Sequence, residues 1–132
     1  MATQNPMMET FEAGADLSSH QFKFVKLSSG KVILCSAAGD DSIGILQNNP
    51  TLGQPATVAY YGKSKVKMAG ALAVDSLVKS DANGLGAVAV KANGAGITGS
   101  NVMGTLTKAS GGANEIAEIF LRPMGAVPTT LG

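Results

Sequence analysis

Three lysines at alternate positions are the residues whose spacing most readily points to chemistry. The order Val66, Lys67, Met68 is similar to the surroundings of a lysine that carries biotin, and Lys63 and Lys65 precede it. A prosthetic group needs a lysine at the tip of a rigid hairpin, whereas alternation in an extended chain places all three lysines on one face of a strand. The spacing therefore favours a solvated strand face that protects a sheet edge, and a basic stripe facing an acidic partner is the alternative.

The other candidates for catalysis or ligand binding fit turns or the core better. His20 would need an orienting carboxylate such as Asp16 and a nucleophile, and no residue marks one, so we interpret it as a turn or interface residue. The glycines of 84–89 lack the following helix of a dinucleotide site and are expected to close a turn. Cys35, in an apolar run, is interpreted as a buried structural thiol, with a reactive thiol as the alternative. We expect no enzyme activity, cofactor or metal.

Composition predicts a single domain that recognises any partner locally. The chain has 132 residues, the length of one compact domain, and its net charge of +1 predicts no global field for nucleic acid or an anionic membrane. There is no apolar run of the roughly 20 residues that cross a bilayer, and the first residues lack the pattern of a signal peptide. A soluble protein made in the cytosol is expected.

Short alternating or apolar segments bounded by turn residues predict an all-β fold. The 17 glycines and the absence of tryptophan indicate a turn-rich protein with small side chains. Ser28, Ser29 and Gly30 predict a hairpin loop, and a long strand is expected to bend at Gly62. The number and spacing of the strands predict a small β-barrel or β-sandwich. The predicted strands are 22–27, 31–37, 42–48, 56–68, 76–80, 87–92, 101–109 and 115–123.

The two ends of the chain are predicted to be arms around a β-rich domain at 15–123. Residues 1–14 are polar except for Met7, Met8 and Phe11, large side chains that predict burial against something. An arm that binds another chain and an arm folded back on its own domain are both compatible with this pattern. Residues 124–132 are predicted to be a C-terminal tail, and the glycine-rich stretch 91–100 a mobile loop.

The order of strands and turns resembles the small capsid decoration, or cement, proteins of tailed bacteriophages. The resemblance covers about residues 14–123 and lies in turns and strands rather than in catalytic groups. Val74-Asp75 stands where these proteins often have Gly-Asp, and 91–100 is richer in glycine. The matching segments are DLSSHQFKFVKL (16–27), GILQNNP (44–50), GQPATV (53–58), GKSKV (62–66), AG (69–70), AVDSL (73–77), SDANG (80–84) and IAEIFLRP (116–123).

The resemblance implies a β-tulip-like domain that binds the outer surface of an icosahedral phage capsid and stabilises it. It further implies the major capsid protein as partner, self-association as a homotrimer, assembly in the bacterial cytoplasm, and no direct contact with nucleic acid or membrane. Partner-binding residues are then expected in the N-terminal arm (Met7, Met8 and Phe11) and in the lysine stripe (Lys63, Lys65 and Lys67). A tail or baseplate β-module is the alternative function, and a biotinyl or lipoyl carrier domain is a remote one.

Overall fold

The computed structural model describes residues 6–89 and 101–126. Within these residues the regular structure is entirely strand, and every ladder is antiparallel, so the predicted all-β fold is confirmed. The same part of the chain has no helix that is long and apolar enough to cross a membrane. The strands are β1 (Met7–Glu12), β2 (Phe24–Ser28), β3 (Lys31–Leu34), β4 (Ser42–Leu46), β5 (Pro55–Lys67), β6 (Leu77–Ser80), β7 (Gly86–Val88), β8 (Asn101–Lys108) and β9 (Ile116–Ala126).

The long strand β5 joins the two halves of the fold. Its first half pairs with β1 and β4, and its second half, from Gly62 to Lys67, pairs with β9. Gly62 has a φ of 100°, which only glycine adopts readily, so the bend lies where the sequence predicts it. The strand order is β3-β2-β4-β5-β9-β8-β6-β7, with β1 attached to β5.

Each half of the sheet curls, and its ends are linked by an isolated bridge. Ala13, just after β1, bridges to Val32 of β3, and Met68, just after β5, bridges to Gly86 of β7. The curling follows from the twist of antiparallel strands and lets each half enclose apolar side chains without a covering helix.

Two apolar cores fill the curled halves, and side-chain alternation assigns residues to them. On β4, Ile45 packs into the first core and Leu46 into the second, and on β5 Ala59 and Val58 divide in the same way. All four side chains are buried. The strands β2, β4 and β5 are therefore apolar on both faces, as expected for strands between two packed layers.

Two predicted turns are confirmed by their backbone conformation. Ser29 and Gly30 both have positive φ and join β2 to β3 as a two-residue hairpin loop. Gly84, with a φ of 78°, closes the turn between β6 and β7, and the Asp81 carboxylate accepts the N–H groups of Asn83 and Leu85 there. The glycines of 84–89 thus serve a turn and the start of a strand, as the sequence indicates.

Both predicted arms contain strand. Residues 7–12 form β1, and Thr10 and Phe11 pair with β5, so this part of the arm folds back on its own domain. At the other end β9 continues to Ala126 instead of ending at Pro123, because Ala126 pairs with Asn101 of β8. Pro123 lies in a register shift of this ladder, where its missing N–H costs no hydrogen bond. The predicted loop 91–100 and residues 127–132 of the predicted tail lie outside the described residues.

The first predicted strand begins later than expected. Phe22 has a φ of 67°, a rare conformation for a bulky residue, so the chain turns there and β2 starts at Phe24. The Phe22 N–H donates to the carbonyl of Leu46, and the Phe22 carbonyl accepts the N–H of Lys67. These bonds hold the segment before β2 against β4 and the end of β5.

Candidate partner-binding surfaces

The lysine stretch alternates between the solvent and the core, as predicted. Ser64 and Val66 are fully buried and point inward, while Lys63, Lys65 and Lys67 lie on the outer face. The ladder with β9 runs through the whole stretch. The three lysines therefore share one face of a paired strand.

Within Gly62–Lys67 the described ladder is with β9 alone, because β4 pairs with β5 only at Val58 and Ala59. The stretch thus keeps one side without a second strand, as the sheet-edge interpretation requires, and on that side the N–H of Lys67 is bonded to the carbonyl of Phe22. Lys67 forms the last pair of this ladder, with Ile116 of β9, and does not lie at a hairpin tip. Val66 and Met68 on either side of it are buried. This geometry differs from the projecting turn that a carrier lysine needs.

The three lysines have different neighbours. The Lys63 ammonium forms an ion pair with the Glu118 carboxylate at 3.2 Å. The Lys65 ammonium lies 5.8 Å from the centroid of the Phe22 ring, within the range of a cation–π contact. Lys67 lies beside Phe22 through the backbone bond, and its charge acts on His20 and Lys23. The stripe thus divides into Lys63, which forms an ion pair, and Lys65 and Lys67, which lie beside Phe22.

The three apolar residues of the N-terminal arm also divide into two kinds. Phe11 packs against the second core and is partly buried. Met7 and Met8 are 57% and 49% exposed on β1. Phe11 therefore contributes to the domain itself, whereas Met7 and Met8 remain available to a partner.

An apolar mouth opens at the end of the curled half that contains the second core. It is a concavity of about 340 Å³. Leu27 and Tyr60, 45% and 37% exposed, stand at its rim, and Val58 is buried at its base. Its lining residues are Glu9, Phe11, Leu27, Ile43, Val58 and Tyr60.

Among the residues that line this mouth, only Phe11 is predicted from the sequence to bind a partner. The available signal was the spacing of Val58 and Tyr60 on β5 and of Val25 and Leu27 on β2, which places each pair on one strand face. Which strands converge at the mouth depends on the curling of the sheet, and that cannot be read from spacing alone.

The contacts of Cys35, His20 and Asp16 are those of structural residues. Cys35 is fully buried, as predicted, and burial raises the pKa of its thiol to about 11, so the thiolate is scarce near neutral pH. His20 Nδ1 lies 3.0 Å from the Lys23 ammonium. The Asp16 carboxylate accepts the N–H of Ser18 and is not bonded to the imidazole. Among the residues described, no three His, Cys, Asp or Glu side chains are grouped so as to hold a metal ion.

Comparison with known proteins finds a similar fold but no similar sequence. The sequence matches no family model and no curated protein. The structure is similar to the head fiber gp8.5 N base of bacteriophage phi29, with a TM-score of 0.64 and 12% identity, covering 88% of this chain and 95% of that one. At this identity the similarity concerns architecture, and the chain shares the fold of that head fiber base.

Proposed function

We propose that the chain is a structural protein of a bacteriophage virion that binds the outer surface of the capsid and stabilises it, as a decoration or cement protein. The observation that carries the proposal is the fold shared, over nearly the whole of both chains, with a protein named as the base of a phage head fiber. The resemblance of the strand-and-turn order to phage decoration proteins supports the same class from the sequence.

Attachment through β1 is physically favourable in this proposal. Met7 and Met8 are about half exposed, and burying a large apolar side chain completely contributes about 1.5–3 kcal/mol. Because β1 is already ordered by pairing with β5, a partner would not have to order this segment on binding. Modest contacts of this kind suffice on a symmetric shell, where neighbouring attachments raise the effective concentration.

The partners follow from the same proposal. The chain would contact the major capsid protein and further copies of itself, as a homotrimer, without direct contact with nucleic acid or a membrane. Its role would be mechanical, with no enzymatic turnover and no cofactor. The paired strands of β5 and β9 would supply the stiffness for that role.

Two other functions remain as alternatives. A tail, baseplate or fiber-base component is compatible with the same fold, and the similar structure, a head fiber base, favours the last of these. A biotinyl or lipoyl carrier is disfavoured because Lys67 is paired with β9 and lies between buried neighbours. The number of copies of the chain in purified virions distinguishes a decoration protein from a tail, baseplate or fiber-base component. A decoration protein should approach the copy number of the major capsid protein.

Binding to capsid shells tests the proposal directly. Shells are prepared from the encoding phage without this protein, and co-sedimentation of the added chain is measured. The wild-type chain should bind, and the double variant Met7→Ser with Met8→Ser should bind about tenfold more weakly. Leu52→Ser is the matched control, because Leu52 is 67% exposed in the turn before β5. Failure of the wild-type chain to bind would exclude the decoration function, and unchanged binding of the double variant would exclude β1 as the attachment element.

A further inference from the structure

Four basic residues from two separate segments lie around Phe22. The N–H of Lys67 donates to the Phe22 carbonyl at 2.8 Å, which holds the segment before β2 against β5. The Lys65 ammonium lies over the Phe22 ring, and the Lys23 ammonium lies 3.0 Å from His20 Nδ1. We call His20, Lys23, Lys65 and Lys67 the basic cluster.

The lysines of this cluster have no ion pair among the described residues, unlike three other lysines of the chain. Those other lysines each contact a carboxylate at 2.8 to 3.3 Å. Lys23, Lys65 and Lys67 do not, although Lys23 and Lys67 are partly buried. Like charges held together without counter-charges oppose one another, and an anion placed among them would relieve the repulsion.

Three acids lie near the cluster, and each is already engaged. Glu118 pairs with Lys65 across the β5–β9 ladder, and its carboxylate forms the ion pair with Lys63. The Asp16 carboxylate accepts the N–H of Ser18 at 3.1 Å. The Asp81 carboxylate accepts the N–H groups of Asn83 and Leu85 at 2.8 and 2.9 Å. The Asp16 and Asp81 carboxylates are therefore bonded to their own turns, and neither forms an ion pair with a lysine of the cluster.

The pKa values of His20 and Lys23 are both lowered, which agrees with this uncompensated charge. Burial, followed by the charges of Lys23 and Lys67, lowers the pKa of His20 despite the opposing effect of Asp16. Burial and then the charge of Lys67 lower the pKa of Lys23, against the effect of Asp81. The free protein thus disfavours the fully charged cluster, and a bound anion would favour it.

We propose that the basic cluster is a binding site for the carboxylate groups of an acidic segment of a partner protein. The overall charge of +1 argues against a nucleic acid, which needs a broad positive field along its backbone. The Phe22 ring packs against the first core and has the Lys65 ammonium over it, so a stacked base would compete with contacts that the ring already makes. Several carboxylates at peptide spacing would match the separate ammonium groups.

This proposal goes beyond capsid attachment and does not depend on it. Lys63, whose charge is paired with Glu118, lies outside the cluster, whereas Lys23 and His20 join it from the segment before β2. The isolated chain can be tested for the acidic site with a peptide, and capsid shells test the attachment role separately. Failure of one experiment therefore leaves the other interpretable.

The experiment measures binding of a decaglutamate peptide to the full chain at low ionic strength, by NMR titration and calorimetry. The amide signals of Phe22 and Lys67 should shift on titration. The double variant Lys23→Gln with Lys67→Gln should lose about tenfold or more in affinity. The matched control is Lys79→Gln with Lys108→Gln, which removes the same charge from other strands of the sheet and should change affinity less than about twofold.

Three outcomes would overturn the assignment. Equal loss in the two double variants would show that the peptide responds only to total charge. Peptide-induced shifts confined to residues away from Phe22 and Lys67 in the wild-type chain would place the binding elsewhere, whatever the variants do. Tighter binding of oligothymidylate than of decaglutamate at the same salt concentration would assign the cluster to single-stranded nucleic acid.

Discussion

Gly104 of β8 lies directly against the backbone of Phe120 on β9. A Cβ atom at residue 104 would be 2.2 Å from the Phe120 carbonyl oxygen, far inside any allowed contact. The two strands pair along most of their length, and Gly104 is itself paired with Leu121. Close approach of the two backbones at this point therefore requires a residue without a side chain.

Replacing this glycine should strain the ladder between β8 and β9. We expect Gly104→Ala to lower the free energy of unfolding by about 2 kcal/mol, because overpacking against a backbone atom forces the strands apart. Gly70→Ala is the control, since a Cβ there meets no atom within 4 Å, and its effect should stay within about 0.5 kcal/mol. Urea unfolding of both variants measures the difference. Equal stability of the two would contradict the close approach.

The ion pair between Lys26 and Asp40 predicts a loss of stability in acid. Burial alone would raise the pKa of Asp40, but the Lys26 ammonium at 2.8 Å and the N–H groups of Ser36 and Asp41 outweigh it and hold the pKa at about 2. Because this value lies below the ordinary 3.8, the stabilisation is present above about pH 4 and is lost as the pH falls towards 2.

The test of this ion pair is Asp40→Asn followed over a pH series. We expect a loss of about 1–2 kcal/mol at neutral pH, after allowance for screening by solvent, and a smaller difference from wild type at about pH 2. Glu9→Gln removes an exposed carboxylate of β1 and serves as control. Thermal unfolding at each pH is the measurement. A difference that does not shrink in acid would argue against the ion pair as the cause.

The two faces of β5 should respond in opposite ways to substitution. Val66 is fully buried in the first core, so Val66→Asp would bury an unpaired charge and should cost about 3–5 kcal/mol, enough to unfold many domains of this size. Lys65→Gln on the outer face should change stability by less than about 1 kcal/mol. Circular dichroism and urea unfolding distinguish the outcomes, and a normally folded Val66→Asp protein would refute the assignment of faces.

Local patterns predicted the features that depend on neighbours in the chain. The hairpin at Ser29 and Gly30, the bend at Gly62 and the alternation around Val66 all follow from residue type and a period of two. The outline of an all-β domain followed from the same signals.

Features that depend on distant strands were missed. The pairing of β1 with β5 makes part of the predicted N-terminal arm a strand of the domain, a choice between two alternatives that the sequence left open. The basic cluster exists because Phe22 adopts a positive φ and brings Lys23 to Lys67. Neither a strand partner nor an unusual φ at a phenylalanine is encoded in the spacing of nearby residues.

The N-terminal arm offers a test that separates folding from attachment. Phe11 packs against the second core, so Phe11→Ala should destabilise the domain by about 1–3 kcal/mol, less than for a fully buried phenylalanine. Met8→Ala removes a side chain of the same strand that is 49% exposed and should cost less than about 1 kcal/mol. Urea unfolding of the two variants gives the comparison. If β1 lay on the domain only in the presence of a partner, Phe11→Ala would be as stable as Met8→Ala, and the strand assigned to residues 7–12 would be wrong for the free chain.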